Sequence, residues 1–304
     1  MAFREIGQGM DRLILAPAAR RDAVLSLMRS AERRLVLSMF RCDDFSIVDE
    51  LASTVKRGVH VRILITQRAR GWKEKLKDLT ALLRSVGADV RPYENSLMKY
   101  HAKYIVADDG PALVTSLNFT RKCFENTCDF LVFSEDPSVV ASLKELFEKD
   151  CAARPADILL QLSPRLIIGP EDSRQRLTQM LSKATSSIRI IDHRVTDPVI
   201  LALLLEKQRQ GVTVQVVGSA RTDGLICHGR MILIDGRTAI IGSIHLSTPS
   251  LDSRREVAIV VEEPGLVAEL YDYFQNLAIH EANLMNLWAA PPESPQDEDD
   301  EEDE

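Results

Sequence analysis

Between residues 20 and 33 the apolar positions Val24, Leu27, Met28 and Ala31 fall three to four apart, the spacing of one helix face, and LVLSMF at 35–40 follows as a strand. SIVDELASTVKRG reads as a helix that stops at Gly58, and VHVRILIT at 59–66 as a buried strand in which His60 alternates onto one face. A charged helix carrying Leu76, Leu79, Leu82, Leu83 and Val86 comes next, then a strand around ADVRPY. Strand-like runs recur at KYIVA, ALVTSL and FLVFS, and PSVVASLKELFEKDCA closes the series as a helix. Alternation of this kind predicts an α/β fold, a sheet with helices packed on its faces.

After Pro155 the pattern starts again. LAPAARRDAVLSLMRSA at 15–31 lies over IGPEDSRQRLTQMLSKA at 168–184 at an offset of 153, and KRGVHVRILIT lies over RQGVTVQVVGS with Gly58 above Gly211. The offset then drops to 127, because the second half lacks 26 residues that include the Leu76–Val86 helix. Past that gap HAKYIVADDGPALVTSLNFT matches HGRMILIDGRTAIIGSIHLS. His101 pairs with His228, Lys103 with Arg230, Asp108 with Asp235, Ser116 with Ser243, Asn118 with His245, Thr120 with Ser247 and Asp129 with Glu256. The chain is thus expected to be a duplication: a first half at 1–154, a connector at 155–164, a second half at 165–290 and a tail at 291–304.

Charge sharpens this picture at one end. The chain of 304 residues carries a formal charge of −7, but its last eight residues are all acidic, and without their eight negative charges the remainder stands at +1. Such a run repels itself and is expected to stay solvated and disordered; occupation of a basic cleft by it would be autoinhibitory. Hydrophobic content of 45% and charged content of 27% suit a soluble globular protein. Five cysteines without a C-x-x-C spacing argue for a reducing compartment and against a disulfide framework or a zinc site. No apolar window approaches a membrane span and the N-terminus is too polar for a signal peptide, so the expectation is a cytoplasmic protein, with peripheral membrane contact allowed.

Each half offers a histidine, a cation two residues on and small polar hydrogen-bonding residues fifteen to nineteen residues later. One H-x-K on a strand would read as a solvent-exposed basic edge, whereas two register-matched copies suggest convergence on an anionic tetrahedral centre. There one histidine would attack, the other would protonate the leaving oxygen, and Lys103 and Arg230 would hold the remaining oxygens. A carboxylate 28 residues after each histidine could accept the imidazole's other N–H and fix its tautomer. Side chains already neutralise the charge, so no metal and no cofactor is called for.

HAKYIVAD followed by TSLNFT resembles the H-x-K-x(4)-D…G-S-x-N-x-[ST] signature of the phospholipase D superfamily, and HGRMILID with GSIHLS looks like a degraded second copy. The resemblance covers roughly residues 10–280. It implies two α/β halves with packed sheets, one active site at their interface supplied by a single chain, and a covalent phosphohistidine resolved by water or an alcohol without an obligatory metal. Carried over by position, His101 and His228 are the histidine pair, Lys103 binds phosphate, Asn118 is an oxyanion partner, and Asp129 and Glu256 orient the histidines. Asp108, Asp235, Ser116, Thr120, Ser243, His245 and Ser247 are supporting members. Three departures stand out: Arg230 for lysine, His245 for asparagine, and Thr115 for glycine. The better-kept first motif assigns His101 as nucleophile and His228 as general acid, with an inactive second half as the rival reading.

TQRARGWKEKLK at 66–77 adds a basic, aromatic-bearing segment. Arg68, Arg70, Trp72 and Lys73 are its candidate substrate contacts, to lipid headgroups or to a nucleic acid backbone with Trp72 stacked on a base. A near-neutral body favours a phospholipid phosphodiester over a nucleic acid. A metal-independent nuclease and a catalytically weakened phosphate-binding module are the alternatives. His193 follows a strand end on a loop that could line the cleft, His280 falls on a terminal amphipathic helix, and Cys227 reads as a packed thiol.

Overall fold

The computed structural model describes residues 10–276 except 96, 153–161, 219–220 and 223. The first half runs β1 (Asp11–Ile14), α1 (Pro17–Ser30), β2 (Arg34–Met39), α2 (Phe45–Lys56), β3 (His60–Ile65), α3 (Lys73–Ser85), β4 (Asp89–Pro92), β5 (Lys99–Tyr100), β6 (Tyr104–Ala107), β7 (Ala112–Thr115), α4 (Arg121–Glu125), β8 (Thr127–Cys128), β9 (Leu131–Ser134) and α5 (Pro137–Cys151). The second runs β10 (Leu166–Gly169), α6 (Ser173–Ser182), β11 (Ser187–Ile191), α7 (Pro198–Arg209), β12 (Thr213–Val217), β13 (Arg221–Thr222), β14 (Leu225–Cys227), β15 (Arg230–Ile234), β16 (Thr238–Gly242), α8 (Thr248–Asp252), β17 (Arg254–Val261) and α9 (Pro264–Asn276). The expected connector falls outside the described residues up to 161, and His280 and the acidic tail fall outside them entirely.

The duplication is visible in strand order. One sheet is ordered β1-β9-β7-β6-β2-β3-β4 and the other β10-β17-β16-β15-β11-β12. Matched strand for strand the two orders are the same, and β4, with α3 before it, belongs to the segment that the second half lacks. Local chemistry repeats as well. Asp44 and Asp197, 153 apart, each accept backbone N–H bonds at the start of α2 and α7. Gly58 and Gly211 each end their helix at φ 88°, a left-handed conformation that glycine adopts without the Cβ penalty.

The two sheets face each other and both of their faces are covered, which is why eight strands, β6 to β11, β15 and β17, are buried at every position. Val36, Tyr104, Val106, Val114 and Phe130 meet Ile191, Met231, Leu233, Ile241 and Val257 in a central core, to which α5 and α9 add Val139, Leu143, Phe147, Val267, Leu270 and Phe274. Helices α1–α3 cover the outer face of the first sheet through Val24, Met28, Ile47, Leu51, Leu79 and Leu83. Helices α6–α8 cover the second through Leu177, Leu181, Ile200, Leu204 and Leu251. The apolar pattern did not announce β1, the five-residue helices α4 and α8, or the two- and three-residue strands β5, β8, β13 and β14, all too short for a periodic signal. All five cysteines are unpaired thiols, and Cys227 is buried with its thiol directed at the Val217 carbonyl. Among the described residues no helix is long and apolar enough to cross a membrane.

Candidate active site

Two short parallel strand pairs cross between the halves. β5 pairs with the start of β17, Tyr100 opposite Arg255, and β14 pairs with β8, Cys227 opposite Cys128. One step further along each pair, a histidine of one half meets a carboxylate of the other. His101 Nδ1 lies 3.0 and 2.9 Å from the Glu256 oxygens, and His228 Nδ1 lies 3.0 and 2.9 Å from those of Asp129. The acids 28 residues after each histidine are the ones in contact, but each lies against the histidine of the opposite half. Gly229, the residue after His228, is required by this strap: a Cβ there would lie 2.2 Å from the Cys128 carbonyl oxygen.

All four side chains are withdrawn from water, with Asp129 and Glu256 at 0% exposure. Burial would discharge His228, but the Asp129 carboxylate outweighs it and raises the imidazole's pKa well above the ordinary value. Conversely, burial opposes ionisation of Asp129 and Glu256, and their histidine partners overcome it and lower both carboxyls. Both acids are held from other sides too. Asp129 accepts from Ser116 Oγ at 2.6 Å and Thr127 Oγ1 at 2.5 Å, and Glu256 accepts from Ser250 Oγ at 3.0 Å. Arg20, fully buried on α1, donates to the carbonyls of Asp129, Thr127, Cys123 and Leu15 and so fixes the backbone that carries Asp129.

Lys103 is buried, donates to the His101 carbonyl at 3.0 Å and stands 5.0 Å over the Phe40 ring. Phe40 meets the His101 ring edge-on at 4.6 Å. Asn118 places Nδ2 3.4 Å from His228 Nε2, while its Oδ1 is buried without a hydrogen-bond partner. A half-turn of that amide would offer Oδ1 to a protonated His228 and aim N–H into the site.

The second half uses its divergent residues differently. Arg230 donates through Nε and Nη2 to His245 Nε2 and through Nη1 to the Ser116 carbonyl. His245 in turn donates from Nδ1 to Asp192 at 2.7 Å. Burial and then the Arg230 charge hold His245 well below the ordinary histidine range, which keeps it neutral. Both ring nitrogens are thereby committed, so His245 is not the phosphate donor that an asparagine could be. Asp192 is a site residue that sequence reasoning missed, although it stands beside the singled-out His193. Among the described residues two groups, Cys123 with Asp129 and His228, and Asp192 with His193 and His245, bring potential metal-ligand atoms within 4.8 Å. The first is internally paired His–carboxylate, and the second has the Arg230 guanidinium on His245, a poor setting for a cation.

The supporting residues separate by role. Asp108 and Asp235, both at positive φ, fold back on the sheet edge. Asp108 accepts from the amides of Glu32, Arg33 and Arg34, and Asp235 from those of Thr185, Ser186 and Ser187. Both lie at a sheet edge, outside the cluster. Ser243 bonds the Val257 backbone and Thr120 caps α4 through Cys123 N. Ser247 holds the equivalent position before α8 without a side-chain cap bond. Arg68, Arg70 and Lys73 are exposed, but Trp72 is 2% exposed and packs in the core of the first half beneath the Arg41 and Lys75 cations. Its assignment as a lipid or base contact is corrected: the indole is the apolar anchor of the loop, drawn in by the area it buries.

The family described as "Cardiolipin synthase, PLD-like domain" matches residues 24–151 and 218–278. The mitochondrial cardiolipin hydrolase of Danio rerio is 25% identical over 139 residues, which cover 45% of this chain and 60% of that relative. Among solved structures, phosphatidylserine synthase of Haemophilus influenzae Rd KW20 superposes with a TM-score of 0.71 at 12% identity, covering 89% of this chain and 87% of its own. Polyphosphate kinase of Porphyromonas gingivalis superposes equally well, TM-score 0.71 at 19% identity, over 87% of this chain and 50% of the kinase. At these identities the two structures establish a shared fold.

Proposed function

The chain belongs to the phospholipase D-like family, and on that premise we propose that it is a phosphodiesterase or phosphatidyltransferase working through a covalent phosphohistidine, with a phospholipid headgroup ester as substrate. The observation that carries this reading is the crossed pair of buried histidine–carboxylate contacts. Glu256 takes the Nδ1–H of His101, leaving the Nε2 lone pair to attack phosphorus. The P–O bond to the leaving group breaks as the N–P bond forms, and His228, kept protonated by Asp129, gives its Nε2 proton to the departing oxygen. Water or an alcohol then attacks the phosphohistidine, returns a proton to His228 and releases His101. Lys103, Arg230 and the Asn118 amide balance the charge on the non-reacting oxygens.

Phospholipid is favoured by the near-neutral charge outside the acidic tail and by two relatives whose names refer to lipid phosphodiesters. Two measurements test the proposal. Enzyme incubated with phosphorus-labelled substrate and quenched in alkaline detergent is expected to carry acid-labile phosphoryl label on His101, and none in His101→Asn. Phosphatidylglycerol, cardiolipin, phosphatidylcholine, single-stranded DNA and duplex DNA are then compared side by side. Label on neither histidine refutes the covalent mechanism, and turnover of DNA alone refutes the lipid substrate.

A further inference from the structure

The offset of 153 lays His193 and Arg194, just beyond β11, over Phe40 and Arg41, just beyond β2. In the first half the arginine packs against two aromatic rings and a loop carbonyl. The Arg41 guanidinium stands 5.1 Å from the Phe40 ring and 5.4 Å from that of Trp72, and Nη2 donates to the Arg70 carbonyl at 3.2 Å. Trp72 and Arg70 belong to the loop and helix start whose counterparts the second half lacks.

Arg194 has no such housing. It is 4% exposed, and its Nε and Nη2 are buried without a hydrogen-bond partner among the described residues. Beside it, His193 stands edge-on to His245 at 4.8 Å with its Nδ1 likewise buried and unpartnered. The adjacent carboxylate, Asp192, is already committed to the His245 ring and to the amides of Arg194 and Leu246. The charges of Arg230 and Arg194 both bear on His193 and His245 and, after burial, disfavour their protonation. Three buried nitrogens without a partner, two guanidinium groups and, among the described residues, no spare carboxylate describe a place that lacks an anion. A metal at the same ligand atoms would meet both arginines.

We propose that His193 and Arg194 form an anion subsite on the second-half side of the cleft, donating to a phosphate oxygen of the substrate in the role that His245 has given up to Arg230. The subsite deepens the phosphodiester reading but is tested without turnover. Inorganic phosphate is titrated calorimetrically into the full-length protein and into Arg194→Gln, His193→Phe and, as a surface control, Arg33→Gln. Arg194→Gln is expected to raise the Kd at least about tenfold, the weight of a charge-assisted hydrogen bond. His193→Phe, which restores the first-half residue, is expected to raise it severalfold, and Arg33→Gln to leave it unchanged. The same Arg194→Gln protein without phosphate is expected to melt at or above the wild-type temperature, because an uncompensated buried charge has been removed. Parallel titrations with glycerol phosphate and thymidine monophosphate separate a lipid-type from a nucleotide-type bearer; a loss with either supports the subsite. A wild-type Kd in Arg194→Gln overturns it, as does a melting point several degrees lower without ligand, which would reveal a structural partner for the arginine. Absence of any diester turnover would overturn the catalytic reading and leave this result standing.

Discussion

Asp129→Asn isolates what the opposite half does for His228. The carboxylate lies 2.9 Å from Nδ1, and at an effective dielectric constant of about 20 that separation corresponds to roughly 6 kcal/mol in favour of the imidazolium. Burial works against the charge and persists in the variant. Removing the carboxylate therefore leaves desolvation unopposed, and the His228 pKa is expected to fall from well above its ordinary value to below it. The sign follows for stability as well. In the wild type the raised imidazole stabilises the fold below pH ~6.5 and loses that contribution as pH rises through its folded pKa. The lowered Asp129 stabilises above pH ~3.9 and loses its contribution as pH falls. Asparagine abolishes both. In the pH–rate profile the basic limb, where the proposed general acid is lost, is expected to move to lower pH, and kcat for an alkyl phosphodiester to fall about 10²- to 10⁴-fold at pH 7.5. A p-nitrophenyl ester, whose leaving group needs no proton, should lose far less. An unshifted basic limb, or equal losses on both substrates, would refute the assignment of His228 as general acid.

Gly229→Ala forces a methyl against the Cys128 carbonyl and the Phe130 ring, so a loss of about 3 kcal/mol in urea unfolding is expected, together with reduced turnover from a displaced His228. Trp72→Leu is expected to lower the melting temperature through lost packing while KM stays within about twofold; a raised KM at unchanged stability would return the indole to the substrate. Asp235→Asn weakens bonds to three successive amides and should cost about 1–2 kcal/mol at neutral pH. Because the Asp235 pKa is lowered in the fold, chiefly by those amides acting against burial, that deficit should shrink as the pH falls through the acid range, as acid-unfolding curves of the two proteins will show.

The β/α alternation, the duplicated halves and the identity of both histidines and both acids were legible in the sequence, because each is encoded by periodicity or by repetition at a fixed offset. Asp108 and Asp235 repeat at the same offset, and both lie at positive φ, which aspartate tolerates, and gather successive amides. The crossing of the acids was not legible. It is set by strands of two or three residues, β5, β8 and β14, that carry no period of their own and find partners more than 90 positions away. Trp72 was misplaced because a basic flank looks the same whether its aromatic residue points outward or inward. The relay from Arg230 through His245 to Asp192 escaped notice because it joins a motif position to a strand end 53 residues before it. Arg194, by contrast, was within reach: the offset already placed it over Arg41.

The crossed carboxylates make the setting of each histidine a property of the contact between halves. Under the proposed mechanism, any loosening of that contact would disturb His101 and His228 together, so a misassembled molecule would be silent rather than partly or wrongly reactive. The crossing would then act as a checkpoint on assembly, one that leaves the residues at positions 230 and 245 outside its contacts.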